Sequence, residues 1–229
     1  MKYDYIIVGA GSAGCVIANR LSEDPSTQVL LIEAGGSDRR FFIQMPIGYG
    51  VTYHQKAVNW MYMTEPSPDA DNKPSYWPRG KVMGGSSSIN AMVYVRGNSR
   101  DFDQWSEAGN PGWSYSDVLP YFKKMESWQN GPDDYRGGDG PLNVSEVSRQ
   151  LHPLCQNFLS AAQEIGIGLN KDMNGATQEG VGNYQITTHK GQRMSSSRAY
   201  LWPIKGRTNL TIIKNAQATK ILTQDKKAF

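Results

Sequence analysis

The chain carries, near its start, a glycine-rich turn between two apolar segments. Tyr5–Val8 is short and rich in β-branched residues, and it runs directly into Gly9-Ala10-Gly11-Ser12-Ala13-Gly14. Apolar residues then recur at helix-compatible spacing as far as Leu21, and a second apolar run, Val29–Ile32, ends at Glu33. This order predicts a strand, a turn, a helix and a second strand, which is a βαβ unit. The continuous apolar runs predict parallel strands that are buried on both faces.

The spacing of the three glycines indicates a particular chemistry. Gly9 allows a tight turn out of the strand, Gly11 lets a pyrophosphate approach the backbone, and Gly14 lets the helix pack closely. The helix N-terminus offers unpaired N–H groups and a positive dipole end to the phosphates. Glu33, 19 residues after Gly14, is placed to accept hydrogen bonds from ribose hydroxyls. These features predict a dinucleotide site rather than a glycine turn without a ligand, and the motif alone does not separate NAD from FAD.

Composition narrows the class of protein. The 229 residues carry a formal charge of only +3, dispersed along the chain, which argues against a nucleic-acid partner. No apolar run approaches the ~18 residues of a membrane-spanning helix, and the start lacks the apolar core of a signal peptide. Cys15 and Cys155 are the only cysteines, and His54, His152 and His189 form no ligand pattern, so neither a disulfide framework nor a metal site is expected. We predict a cytoplasmic α/β protein.

A second glycine cluster is more specific. Gly84-Gly85 lets the backbone pass close to a flat or charged ligand, and Ser86–Ser88 supplies hydroxyl and N–H groups. Apolar residues on both sides, Val82-Met83 and Ile89, argue against a solvated flexible linker.

At this cluster the sequence resembles the glucose–methanol–choline (GMC) oxidoreductases, FAD enzymes that act on alcohols, and in particular their choline and alcohol dehydrogenase branch. The resemblance rests on four segments in family order. They are Gly80-Lys81-x-x-Gly84-Gly85-Ser86-Ser87-x-Ile89-Asn90 with Tyr94 and Gly97, Asn59-Trp60-x-Tyr62-x-Thr64-Glu65-Pro66, Trp105-x-x-x-Gly109-x-x-Gly112-Trp113, and Arg193-x-Ser195-Ser196-x-Arg198-Ala199-Tyr200-Leu201.

The resemblance implies FAD as the cofactor. Some members attach FAD covalently through a histidine whose position corresponds to Ile89 here, so non-covalent FAD is expected. Ala218 is the candidate for a backbone contact with adenine. The complete set of residues implied to bind FAD is Gly9, Gly11, Ser12, Ala13, Gly14, Glu33, Ala34, Val82, Gly84, Gly85, Ser86, Asn90, Ala91, Met92, Val93 and Ala218.

The resemblance also implies a domain organisation. A Rossmann-like FAD-binding domain is expected over 1–150, with a flavin-covering excursion at 37–78. The start of a mixed-sheet substrate domain is expected over 151–200, and an incomplete return to the FAD-binding domain over 201–229. The family's catalytic histidine and its partner lie further along the chain than residue 229, so the chain is interpreted as an N-terminal portion that lacks catalytic residues.

Local signals predict further elements. Ser114 or Ser116 is a candidate N-cap of a short helix, 152–165 is predicted to form an amphipathic helix, and 180–188 to form a strand. The apolar segment from Asn209 to Ile213 is predicted to form a last strand that continues to Ile221-Leu222.

These observations predict that the full-length parent oxidises an alcohol (choline-like, aliphatic or aryl) by hydride transfer to FAD. The fragment alone is expected to be inactive. An inactive flavin- or nucleotide-binding remnant and one half of a split enzyme remain alternatives. The electron acceptor, whether oxygen, quinone or a carrier, is open, and so is membrane association of the parent through a quinone partner.

Overall fold

The computed structural model describes residues 2–224 and 227–228. The helices are α1 (Ser12–Leu21), α2 (Phe41–Gln44), α3 (Tyr49–Thr52), α4 (Ser99–Glu107), α5 (Tyr115–Met125) and α6 (Leu154–Glu164), with a π-helix at Ser197–Leu201. The longer strands are β1 (Tyr5–Val8), β2 (Val29–Glu33), β6 (Glu126–Trp128), β7 (Leu142–Val144) and β11 (Leu210–Lys214). Two-residue strands are β3 (Tyr62–Met63), β4 (Tyr76–Trp77), β5 (Val93–Tyr94), β8 (Gln185–Ile186), β9 (Thr188–His189), β10 (Gln192–Arg193), β12 (Thr223–Gln224) and β13 (Lys227–Ala228). None of the described helices is both long enough and apolar enough to span a bilayer.

The main sheet has three parallel strands in the order β1-β2-β11. Val29 pairs with Tyr5 on one side and with Leu210 on the other, so β2 is central. Its residues Val29, Leu30 and Leu31 are buried, because a neighbouring strand covers each edge and α1 packs against it. The predicted parallel βαβ unit is therefore confirmed.

The burial predicted for β1 is wrong. Tyr5, Ile6 and Val8 are about half exposed, at 50%, 53% and 57%. The reason is that β1 pairs only with β2 among the described residues. Hydrophobic pattern alone therefore identified the strand, but not its place at an edge of this sheet.

Two other predicted strands are shorter than expected. The last strand ends at Lys214, and Ile221 and Leu222 are exposed and lie outside any strand. Of the predicted strand at 180–188, only β8 and the first residue of β9 have strand geometry.

The described residues fall into two compact units. The first comprises the ranges 1–91 and 191–229, and the second comprises 92–190. The second unit thus begins at 92 and ends at 190, whereas the resemblance implies domain boundaries at 150 and 200. The division has a local cause within the second unit, where β5 pairs with β8 and β6 with β7. Which unit binds cofactor and which binds substrate stays a prediction.

The second unit encloses a small core and a buried ion network. Tyr94, Trp128 and Val144 form the apolar cluster. Beside it, the fully buried carboxylate of Glu126 pairs with Arg96 at 2.7 Å and with Arg136 at 2.6 Å. Two of the three α-helices of this unit, α4 and α5, begin with reciprocal capping boxes, from Asn98 and Ser114 respectively.

The segment 37–78 of the first unit is ordered but contains only short elements, namely α2, α3, β3, β4 and the 3₁₀ helices Pro46–Gly48 and Pro68–Ala70. Ile43 and Val58 from this segment join Val82 and Ile89 in a buried apolar cluster. The segment is therefore anchored by its own apolar side chains. Its predicted role in covering a flavin stays a prediction.

Candidate cofactor-binding site

The glycine-rich turn connects β1 to α1. Gly9 has a φ of +95°, which a residue with a side chain rarely adopts. Gly11 is the N-cap of α1, so the helix N-terminus with its free N–H groups faces the turn. A Cβ built on Gly14 would overlap the carbonyl oxygen of Gly9. The absence of a side chain at Gly14 therefore permits the close approach of helix and turn.

A cavity of about 550 Å³ opens at this turn, at the carboxyl ends of β1 and β2. A Cβ built on Gly9 or Gly11 would meet no atom within 4 Å, so both glycines face open space. Eight of the sixteen predicted cofactor residues lie in the cavity wall, namely Gly9, Gly11, Ser12, Glu33, Ala34, Gly85, Ser86 and Ala218. This is the position expected of a ligand site in a parallel α/β sheet.

The second glycine cluster packs directly against the first. The Gly84 N–H donates to the Ala10 carbonyl at 2.7 Å. A Cβ built on Gly85 would lie 2.8 Å from the Cα of Gly11. Gly84 and Gly85 both have positive φ angles, +87° and +55°. The two glycine clusters, far apart in the sequence, therefore form one backbone surface.

The carboxylate of Glu33 accepts hydrogen bonds from the protein backbone, which the sequence did not indicate. Its side chain lines the cavity but is only 6% exposed. One carboxylate oxygen accepts from the Ala10 N–H at 2.8 Å and the other from the Gly35 N–H at 2.7 Å. Each oxygen keeps a further lone pair, so the predicted contact with a ribose stays a proposal, added to a structural role that the sequence did not reveal.

The other predicted residues lie outside the cavity wall. Val82 is fully buried in the apolar cluster with Ile43, Val58 and Ile89, so only its backbone is available for the predicted contact. Met92, with a φ of +63°, and Val93 belong to the second unit. The remaining predicted residues of the first unit that do not line the cavity are Ala13, Gly14, Gly84, Asn90 and Ala91.

Aromatic and cationic side chains form another part of the cavity wall. Trp60 and Tyr62 line the cavity with their rings stacked, at a centroid separation of 5.8 Å and an interplanar angle of 6°. The Lys81 ammonium lies 4.4 Å from the Trp60 ring centroid. Arg79 also lines the cavity. Trp60 and Tyr62 belong to the excursion at 37–78 that the resemblance implies to cover a flavin, whereas sequence reasoning gave Arg79 no role.

Asn59 holds this wall in place. Its side chain is buried and uses its full hydrogen-bonding capacity. The amide nitrogen donates to the Tyr53 carbonyl and the Tyr76 hydroxyl, and the amide oxygen accepts from the backbone N–H groups of Met61 and Arg79. One side chain thereby fixes the backbone on both sides of the cavity wall.

Cys15 follows the glycine turn in α1. Burial raises the pKa of the Cys15 thiol to about 12, and its Sγ donates to the Ala10 carbonyl at 3.2 Å, so Cys15 is an inert packing residue. Among residues 2–224 and 227–228, no cluster of three or more His, Cys, Asp or Glu side chains is arranged to hold a metal ion. The glycine surface, the helix N-terminus and the nearby Arg79 fit a ligand with a pyrophosphate.

Comparison with known proteins supplies the wider context. A sequence model of the GMC oxidoreductase family matches residues 3–229. The chain is 49% identical over 227 residues to the oxygen-dependent choline dehydrogenase of Vibrio vulnificus, covering 99% of this chain and 40% of that protein. It is 50% identical over 227 residues to an alcohol dehydrogenase [acceptor] of Pseudomonas putida, covering 99% and 41%.

Two solved structures superpose on nearly the whole of this chain. The chain superposes on pyridoxine 4-oxidase from Mesorbium loti with a TM-score of 0.94 at 32% identity, covering 99% of this chain and 45% of that one. For an FAD-dependent oxidoreductase from Chaetomium thermophilum the TM-score is 0.90 at 32% identity, covering 99% and 41%. The chain thus spans about two fifths of the length of the curated relatives it matches.

Proposed function

Because the chain belongs to the GMC oxidoreductase family, we propose that its cavity holds FAD and that the whole protein oxidises an alcohol to an aldehyde. The resemblance drawn from the sequence and the predicted α/β fold are both confirmed by the family match and the superpositions. The observation that carries the proposal is the joining of two glycine clusters at one cavity, through the Gly84–Ala10 hydrogen bond.

Each part of the cavity wall suits one part of the cofactor. Gly9, Gly11 and the start of α1 offer backbone N–H groups to the pyrophosphate. Glu33 and Ala34 lie beside the ribose in this assignment, and Ala218 beside the adenine. The Glu33 carbonyl accepts from the Ala216 N–H at 2.9 Å, which brings the 216–218 segment to the same end of the cavity.

The loop around Gly85 is assigned to the other half of the cofactor. Gly85 and Ser86 line the cavity. Asn90 and Ala91 follow in the chain and are assigned to the flavin, as the resemblance implies. Arg79, which sequence reasoning had not singled out, adds a cation that complements the phosphates. Ile89 is buried in the apolar cluster and offers no nucleophile, which supports non-covalent binding.

FAD supplies the acceptor for a hydride. In the proposed reaction the alcohol carbon loses a hydride, the hydroxyl loses its proton to a base, and the C–O single bond becomes the carbonyl of the aldehyde. The equivalent of that hydride, two electrons and one proton, would finally leave to an external acceptor. We assign the base to the part of the longer relatives that this chain does not span.

Two of the relatives suggest the class of substrate. The chain is almost equally similar to a choline dehydrogenase and to an alcohol dehydrogenase, at 49% and 50% identity. A small primary alcohol is therefore the proposed substrate, and oxygen, a quinone or a carrier protein is the proposed electron acceptor.

The test is FAD binding by the purified chain, followed by absorbance and by titration with competing nucleotides. We expect a yellow protein from which ADP displaces FAD and FMN does not, because the glycine turn and Glu33 surround the adenosine diphosphate end. After acid precipitation the flavin should appear in the supernatant. Flavin in the pellet would contradict non-covalent binding, and a chain that takes up neither FAD nor ADP would contradict the cofactor assignment.

A second measurement tests the assignment of the base. With FAD bound, the 229-residue chain is expected to leave a redox dye unreduced when choline or a simple primary alcohol is added. Dye reduction that depends on the alcohol would show that the chain holds its own proton acceptor, and the assignment of the base elsewhere would then be wrong.

A further inference from the structure

Arg193 is a fully buried cation of the first unit. It takes part in none of the ion pairs formed among residues 2–224 and 227–228. The two buried arginines of the second unit differ from it in this respect, because Arg96 and Arg136 both pair with Glu126. Arg193 therefore carries a positive charge into the protein interior without a carboxylate to balance it.

Its hydrogen bonds go to neutral acceptors. Nε donates to the Ile43 carbonyl at 2.9 Å, and Nη1 donates to the Ser87 carbonyl at 3.1 Å and to Asn90 Oδ1 at 2.9 Å. The other terminal nitrogen, Nη2, is buried and has no hydrogen-bond partner among the described residues. Neutral acceptors orient the guanidinium but do not cancel its charge.

Burial lowers the pKa of Arg193 to about 10, so the group remains charged at neutral pH. A buried charge without a counter-charge is costly to the folded state. The bonds to Ser87 and Asn90 hold this charge against the loop formed by residues 84–91. Two residues of the same loop, Gly85 and Ser86, line the cofactor cavity. Asn90 itself is exposed, so it lies between the buried cation and the surface.

We propose that Arg193 is a positioning residue whose positive charge, applied through the 84–91 loop, favours the reduced form of the bound flavin. This inference rests on the proposed function, because it requires FAD in the cavity. Transfer of a hydride brings two electrons and one proton to the flavin, so the reduced cofactor gains one negative charge. A fixed positive charge close to that site stabilises the added charge, most strongly where water is excluded.

The test is the redox equilibrium of the FAD-loaded chain with a reference dye of known potential. We expect Arg193→Met to shift the ratio of reduced to oxidised flavin about tenfold toward the oxidised form, which is roughly 30 mV for a two-electron couple. Arg193→Lys, which keeps the charge, should restore most of that ratio. An Arg193→Met protein with the wild-type ratio would overturn the proposal, and so would Arg193→Lys if it shifted as far as Arg193→Met.

Arg207→Met is the matched control. Arg207 is also in the first unit and partly buried, and it donates to the Asn19 carbonyl and the Ser22 hydroxyl, away from the 84–91 loop. Its loss should lower the unfolding temperature and leave the flavin equilibrium unchanged. An equal shift in Arg207→Met would mean that the ratio reports general loosening of the fold, and the proposal would fall.

A further variant covers the case in which Arg193→Met does not fold. Asn90→Asp places a carboxylate where the Nη1 acceptor now stands, 2.9 Å from the guanidinium, and neutralises the charge without removing the arginine. The same shift toward oxidised flavin is expected, and an unchanged ratio would overturn the proposal. Wild-type chain that binds no FAD would instead refute the proposed function, whereas bound FAD with an unresponsive equilibrium refutes only the role of Arg193.

Discussion

The Glu33 carboxylate accepts a hydrogen bond from the backbone N–H of Ala10 at 2.8 Å, and so ties the end of β2 to the glycine turn. Its second oxygen accepts from the Gly35 N–H at 2.7 Å. A carboxylate accepts at both oxygens and an amide at only one. The turn therefore depends on a charged acceptor at this position before any ligand arrives.

Glu33→Gln is expected to destabilise the chain without FAD by about 1–3 kcal/mol, because the new NH₂ group must face one of the two backbone donors. FAD affinity should fall as well, since the turn proposed to hold the phosphates is no longer fixed. Urea unfolding and FAD titration measure the two effects. Glu164→Gln, at the exposed end of α6, is the control and should change neither. A Glu33→Gln protein as stable as wild type would show that the turn does not need the Glu33 carboxylate.

Gly11→Ala should separate ligand binding from stability. An added Cβ meets nothing within 4 Å in the ligand-free chain, and the φ of −76° suits alanine. Unfolding free energy should therefore stay within roughly 1 kcal/mol of wild type, whereas FAD affinity should fall at least about tenfold (~1.4 kcal/mol) because the methyl group occupies the cavity. Gly50→Ala, also with open space around its Cβ but outside the cavity, should retain FAD affinity. Equal FAD affinities in the two variants would contradict the assignment of the pyrophosphate to Gly11.

Gly14→Ala should behave in the opposite way. Here the added Cβ overlaps the Gly9 carbonyl, and overpacking of this kind costs about 1–3 kcal/mol. The loss is expected in the ligand-free chain, by thermal or urea unfolding. A Gly14→Ala protein as stable as Gly11→Ala would contradict the close packing of α1 on the turn.

Glu126→Gln tests the buried ion network of the second unit. Arg96 would lose its counter-charge in the interior and Arg136 would keep only Asp172, at an expected cost of about 3–5 kcal/mol in urea unfolding. Glu23→Gln breaks an ion pair of the same length, 2.6 Å to Arg20, but on the surface. It should cost less than about 1 kcal/mol. Similar losses in the two variants would mean that burial does not set the value of the network.

Asp38 provides a pH-dependent prediction. Its side chain is buried and its Oδ2 has no hydrogen-bond partner within the described ranges. Burial raises the pKa of this carboxyl, against the opposing effect of hydrogen bonds from Ser197 and Trp202. A raised folded-state pKa favours the protonated form. Its contribution to stability is present below the unfolded pKa of about 3.9 and is lost as pH rises through the folded value.

Asp38→Asn should therefore gain stability relative to wild type as pH rises, by about 1 kcal/mol between roughly pH 3.5 and pH 7. Urea unfolding at several pH values measures this difference. Asp69→Asn, at an exposed position, serves as the control and should show a flat difference. A difference for Asp38→Asn that also stays constant with pH would contradict the raised pKa of the Asp38 carboxyl.

Local sequence was sufficient for the elements whose signals are themselves local. The βαβ unit follows from its glycine spacing and apolar runs. Ser114, one of two predicted N-caps, is the N-cap of α5, with Asp117 completing the capping box. The predicted helix at 152–165 is observed at Leu154–Glu164. In each case the signal, whether a glycine spacing, an apolar run or a cap, lies within a short stretch of sequence.

The features that sequence reasoning missed depend on contacts between distant residues. β1 is half exposed because β2 is its only neighbouring strand among the described residues. The sequence of β1 itself does not encode that position. Glu33 is occupied by backbone donors that only the folded turn brings near. Arg79 reaches the cavity wall beside Trp60 and Tyr62 because Asn59 connects two segments of backbone. Arg193 could be read as part of a family segment, but its missing counter-charge is visible only once its surroundings are assembled.

The central position of β2 also has a consequence for how the chain folds. Val29 pairs with Tyr5 and with Leu210, so the sheet has high contact order and closes only after a loop from 34 to 209 has formed, which slows folding. During synthesis the continuous segment 92–190 emerges before β11 does. Until then one edge of β2 presents unpaired N–H and C=O groups beside the apolar run Val29–Ile32, an edge open to pairing with other nascent chains. The length of the intervening unit therefore sets the time for which the nascent protein is prone to aggregate.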